Sequence, residues 1–238
     1  MLLFACDSEN ANDCFQKSGR IITEEIALPT FTKIKVNRDV ELILKDGATQ
    51  KVLIETGENL LNDVDFSVVN DRLEITENNT CNFVRDYNIT KVYVTAPNIT
   101  EIISSTQFKI SSDGVLNYSD LDVLSEDFHD SSIIAVGDID MSLHTQNLKV
   151  VGNNLTSFKM QGTAENLNIT FAAGDGRFNG ANLIANKVYV YHRGTNRISV
   201  NPQLELKGTL LSIGNLIVKN HPPIVDVEQL YTGRLMFE

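Results

Sequence analysis

The chain has 238 residues, with 31 acidic against 20 basic side chains, a formal net charge of −11 and 42% apolar content. That apolar share suffices for a buried core and excludes wholesale disorder, and one domain is the expectation for an all-β chain of this length. The negative charge argues against nucleic acid as a partner, and no apolar run reaches the roughly 18 residues of a spanning helix, so membrane attachment is expected through a lipid anchor only.

Leu3, Phe4, Ala5 and Cys6 read LFAC, which resembles the lipobox of bacterial lipoproteins. The resemblance implies cleavage before Cys6 and lipidation of its sulfur. A full signal carries a basic n-region and an apolar stretch of about 7 to 15 residues, whereas Met1 to Ala5 are what precedes Cys6 here; a short apolar N-terminus with an incidental Cys is the alternative. Asp7 to Asp13 follow as a polar tether, and residues 1–13 are taken as lipobox remnant and tether. Cys14 and Cys81 remain as candidates for one disulfide, which an oxidising compartment allows; two unpaired thiols stay open as the alternative.

After the tether, apolar and polar residues alternate with period two, as in half-buried strands. Phe31, Ile34 and Val36, then Val40, Leu42 and Leu44, then Val52 and Ile54 carry the pattern, with a turn expected at Lys45 to Ala48. Strands are expected at Val64 to Val69, Leu73 to Thr76 and Lys91 to Thr95, the last closed by Pro97. Helical periodicity is nearly absent, with one turn at most around Asn59 to Leu61.

From Asn98 a short apolar-x-apolar unit recurs at Leu121, Leu148, Leu167, Val188 and Leu204, at spacings of 27, 19, 21 and 16 residues. A second strand is expected between these units, at Ile133 to Val136, Phe158 to Met160, Arg177 to Asn179, Arg197 to Ser199 and Leu211 to Ile213. Gly and Asn recur at the corners, in VGNNL, GDGRFNGANL and SIGNL, where both tolerate positive φ. A period near 20 with two strands per unit points to a parallel β-solenoid, in which each coil buries its few apolar side chains against its neighbours. An antiparallel β-sandwich is the alternative. Residues 14–238 are read as one solenoid domain, and 222–238, which breaks the repeat at Pro222 and Pro223, as its C-terminal cap.

The phrases LPTFTKIKVNRDVELIL, VLIETGENLL and RLEITENNTCNFVRDYNITKVYVTAPNI, with the short repeats after them, resemble the auto-transporter adhesin, head GIN domain family. The resemblance covers about residues 14 to 238. It implies a right-handed, single-stranded parallel β-helix-like fold and an adhesin or polysaccharide-binding role on a secreted or lipidated protein, so an outer-membrane lipoprotein facing the periplasm or the cell surface. The family's SGA-type corners are replaced here by ISSTQF, VLSEDF and TFAAGD.

No chemistry-bearing constellation stands out. His129, His144, His192 and His221 lack HxH or HExxH spacing, so no metal or other cofactor is expected, and no GxSxG elbow exists. Carboxylates at Asp120, Asp122, Glu126, Asp127, Asp130, Asp138, Asp140 and Asp175 raise the alternative of a β-helix polysaccharide lyase or glycosidase. The expectation is a non-catalytic surface protein that binds polysaccharide or an envelope protein, with a structural envelope role as a further alternative. Two stretches are candidate ligand sites. One is Glu126, Asp127, Phe128, His129 and Asp130, the densest polar patch; the other is Tyr189, Tyr191 and Arg193, whose parity places the tyrosines outward if Val188 and Val190 are core.

Overall fold

The computed structural model describes residues 13–238 apart from Thr80, Asn88 and His129. The lipobox, Cys6 and the tether up to Asn12 lie outside the described residues. The protein is all-β, 57% strand and 3% helical. The strands in chain order are β1 (Ile21–Glu25), β2 (Lys33–Val36), β3 (Glu41–Asp46), β4 (Lys51–Gly57), β5 (Val64–Val69), β6 (Arg72–Glu77), β7 (Lys91–Ala96), β8 (Glu101–Ser104) and β9 (Ile110–Leu116). They continue with β10 (Asp120–Ser125), β11 (Asp138–Gly152), β12 (Ser157–Phe171), β13 (Arg177–His192), β14 (Ile198–Leu210), β15 (Leu216–Val218), β16 (Ile224–Gln229) and β17 (Leu235–Phe237).

Two ladders organise them. One runs β1-β4-β7-β3-β9-β11-β12-β13-β14-β15-β17, 11 strands that curl into a half-barrel. The other runs β5-β6-β2-β8-β10-β11-β12-β13-β14-β16. Four long strands, β11 to β14, pass through both ladders and join them. Pairing is parallel except at β1–β4, β4–β7 and β5–β6. An antiparallel sandwich does not fit this pattern, because parallel neighbours need a return connection rather than a hairpin.

The period-two sequence pattern explains why the strands stack. In the second ladder Leu73, Ile34, Ile102, Val123, Val150, Ile169 and Val190 stand side by side in register, each with no exposed surface. Each such side chain stabilises the fold by about 1.5–3 kcal/mol relative to exposure. The next inward position widens the core: Ser125, Gly152, Phe171, His192 and Leu210 follow one another across five strands. His192 is buried there with its Nε2–H directed to the Asn196 carbonyl at 2.7 Å and its ring edge-on to Phe171, and burial lowers its pKa.

Gly152 is small for a reason. A Cβ on it would sit 2.9 Å from both Phe158 and Phe171, which are themselves packed at 5.6 Å. Gly152→Ala is expected to cost about 1–3 kcal/mol by overpacking, read as a lower midpoint in urea with an unchanged slope.

Several expectations need correction. The second strands expected at Phe158 and Arg177 are the first parts of continuous strands of 15 and 16 residues, which pair on past a bulge between Lys159 and Gln161; Asn166 pairs with Lys187 and does not end the strand. The stretch Ile133 to Val136 is no strand; it belongs to the connection 126–137, which folds over the outside of the second ladder. The Leu204 unit is shifted: Val188 pairs with Leu206 and Leu204 is exposed, because a bulge adds one residue to β14 between Pro202 and Glu205. Residues 222–238 do not break the repeat. Pro222 and Pro223 lie in the connection, while β16 and β17 keep the parallel register of β14 and β15.

At the opposite end, a disulfide joins Cys14 to Cys81 with a Cα–Cα distance of 4.4 Å. Arg85 adds hydrogen bonds to the carbonyls of Asp13, Gln16 and Cys81 at 2.9, 3.1 and 3.2 Å. Beside this knot, Arg38, Asp39, Glu77, Asn82, Arg85 and Tyr87 line a cavity of about 170 Å³. Glu77 is 7% exposed, and burial pushes its pKa up to about 7 against the lowering effect of a hydrogen bond with Thr90.

Candidate functional site

The outward face of the second ladder breaks the rule that outward strand positions are polar. Ile103, Leu124 and Val151 occupy neighbouring outward positions on β8, β10 and β11, with Leu124 in register with both others. They floor a groove of about 430 Å³, walled by Lys35, Arg72 and Glu74 on the strands and by Glu126, Asp130 and Ile133 from the connection 126–137. Lys149 closes the remaining side and pairs with Asp122 at 3.2 Å.

The rim charges are held in place. Lys35 Nζ lies 3.2 Å from Asp130, and Arg72 lies 2.5 Å from Glu101. Asp130 also accepts from the Ser132 backbone N–H and hydroxyl at 3.0 and 2.5 Å. These Ser132 bonds first, then Lys35, bring its pKa down to about 2, so it is an anion across the physiological range. Glu126 is buried and receives the Phe128 N–H at 2.7 Å. Asp127 turns away from the groove to Asn153 and Asn154, at 2.5 and 2.8 Å, and the Asn154 bond is the larger cause of its lowered pKa. Phe128 is 59% exposed, and His129 lies outside the described residues.

The second candidate stretch lies on the same face. Val151 is in register with Thr170 and Thr170 with Tyr191, so Tyr191 continues the line of the groove floor two strands further on. That places it about 10 Å from Val151. Tyr189 is 45% exposed in the adjacent outward line, and Arg193 follows with its side chain exposed. The structure therefore aligns Glu126, Asp130, Tyr189 and Tyr191 along one face, leaves Arg193 exposed just past the end of β13, and sets Asp127 aside as a corner residue.

Sequence reasoning missed Lys35, Arg72, Ile103, Leu124, Val151 and Ile133. A signal was present. EIIS, DVLS and KVVG each place two apolar residues in succession in an alternating strand, so one of each pair must face outward.

The face combines an aliphatic groove floor with a charged rim. No three His, Cys, Asp or Glu side chains among the described residues are arranged to hold a metal ion. No helix among the described residues is long and apolar enough to cross a membrane.

Comparison with known proteins places this architecture. The profile of the family described as "Putative auto-transporter adhesin, head GIN domain" matches residues 30–222. The chain belongs to this head GIN domain family. Among solved structures, a "putative adhesin" from Bacteroides fragilis NCTC 9343 superposes with a TM-score of 0.82 at 19% identity, covering 93% of this chain and 99% of that one. A "putative adhesin" from Parabacteroides merdae ATCC 43184 gives 0.63 at 16%, covering 93% and 98%. A "Putative lipid binding protein" from Parabacteroides distasonis ATCC 8503 gives 0.64 at 15%, covering 92% and 97%. At these identities the likeness is one of fold. No curated protein matches the chain. Family and structural neighbours alike are described as adhesins or binding proteins, not as enzymes.

Proposed function

We propose that this head GIN domain is a non-catalytic, extracytoplasmic binding protein, held at the cell envelope through a lipid on Cys6. Its strands form a parallel β-solenoid that presents the groove to a segment of a surface protein. The observation that carries this reading is the aliphatic floor of Ile103, Leu124 and Val151, set outward among charged neighbours. A floor of branched side chains ringed by paired charges suits an apolar side chain flanked by polar groups, the usual anatomy of a protein contact.

A second reading, polysaccharide, is favoured by Tyr189, Tyr191 and Arg193, which offer rings and a guanidinium on the same face. One screen separates the two. The protein is applied to arrays of envelope proteins and of glycans, together with its Leu124→Glu and Tyr191→Ala variants. Protein binding weakened at least tenfold by Leu124→Glu supports the first reading, and glycan binding weakened by Tyr191→Ala supports the second. Hits that both variants leave unchanged, at unchanged melting temperature, count against the whole face.

A further inference from the structure

The far end of the ladders lacks the cover that the interior strands have. Inward side chains elsewhere are covered by the next strand, as with Leu206 and Val218, which have no exposed surface. Their register partners Val225 and Phe237 are 43% and 37% exposed. Leu230 and Tyr231, exposed beside them, extend the apolar area.

The backbone is open along the same line. The Leu230 N–H donates back to Leu210 and the Glu238 N–H back to Val218. Alternation along a strand then turns the N–H groups of Val225, Val227 and Gln229 on β16, and of Phe237 on β17, toward the open edge, while the Leu235 N–H donates to Gln229 Oε1 at 3.1 Å. Exposed edges are ordinarily guarded by charged side chains, above all lysine, by proline or by a bulge. The β16 sequence, IVDVEQ, holds two acids but no lysine or proline, and its pairing with β14 is unbroken.

We propose that this edge accepts an extended strand of a partner protein in which apolar residues alternate with lysine or arginine. The apolar half follows from Val225, Val227 and Phe237. The basic half follows from charge. Where both members of an outward register pair in this ladder are charged, most pairs join opposite charges, as in Lys33 with Glu101, Lys149 with Asp122, Lys35 with Glu74 and Lys207 with Asp226, against two that join like charges, Lys33 with Arg72 and Asp122 with Glu101. On β16 the outward charges are Asp226 and Glu228, so the next strand best places cations there. A second copy of this chain fits less well. Antiparallel pairing of β16 with itself sets Asp226 opposite Asp226 or Glu228, and at the other end of the ladders the edge strands β1 and β5 carry Glu24 and Glu25 and Asp65, with no cation on either.

The test uses fluorescent eight-residue peptides on the whole protein, read by anisotropy at physiological salt. One alternates valine and lysine, a second alternates valine and glutamate, and a third holds the lysines and valines in two blocks. The valine–lysine peptide should bind at least tenfold tighter than the other two. Val227→Pro, which removes an outward N–H without touching the existing ladder, should weaken it at least tenfold at unchanged melting temperature. The pair Asp226→Lys and Glu228→Lys should shift preference to the valine–glutamate peptide. Equal binding of the blocked peptide, no binding, or self-association through this end that excludes the peptide would each overturn the proposal.

Discussion

Replacing Cys14 and Cys81 together with serine is expected to lower the melting temperature by about 10 °C. The bond spans 67 residues of chain. Closing a loop of that size in the unfolded ensemble contributes about 4 kcal/mol in the chain-entropy account, and for a domain of this length each kcal/mol moves the midpoint by about 2–4 °C. The double replacement avoids leaving either partner of the bond as an unpaired thiol. Thermal melts followed by circular dichroism, with and without reductant, check the effect. Reductant should lower the midpoint of the native protein and leave that of the double variant where it is. Identical midpoints throughout would show that the hydrogen bonds of Arg85 to Asp13, Gln16 and Cys81 alone suffice to hold the segment.

Glu77→Gln should raise stability at pH 8 and leave it nearly unchanged at pH 4. Burial raises the Glu77 carboxyl from 4.5 to about 7, helped by the charges of Asp39 and Asp63 and opposed by Thr90 and Arg85. A raised carboxyl binds a proton in the fold that the unfolded chain has already lost. Its stabilising contribution is therefore complete below the unfolded value near 4.5, declines as pH rises, and is gone above about 7. A shift of this size corresponds to roughly 3 kcal/mol as an upper bound. Glutamine keeps the shape and the hydrogen-bonding capacity without the charge, so the variant's urea midpoint should lose most of the fall between pH 5 and pH 8. A fall that persists in the variant would assign it to other groups.

Much of the fold was legible because burial acts on alternate residues. The expected strand Val64 to Val69 coincides with β5, and Pro97 follows directly on the end of β7. What escaped notice has physical causes. The strand β1, IITEE, is almost wholly exposed, so it has no buried face to impose a period. The long strands β11 to β14 looked interrupted because asparagines such as Asn147 and Asn166 bond to each other at 2.8 Å across neighbouring strands, satisfying polar groups within the ladder. The apolar run Ile133 to Val136 looked like a strand, yet Ile133 lines the groove over an outward face. Polar density drew attention to Glu126 to Asp130, while the groove floor lay hidden among aliphatics that read as ordinary core.

The disulfide has a mechanical side. A pull on the chain before Cys14 passes through the two sulfur atoms to Cys81, and from there into the loop that leads to β7. Residues 15–80, with β1 to β6 among them, lie off that line of force. Under tension they cannot be drawn out as slack, which would otherwise amount to about 220 Å of extended chain. Whatever load reaches this end of the protein is delivered straight to the side of the parallel stack, and the antiparallel strands β1, β4 and β5 stay folded beside the path.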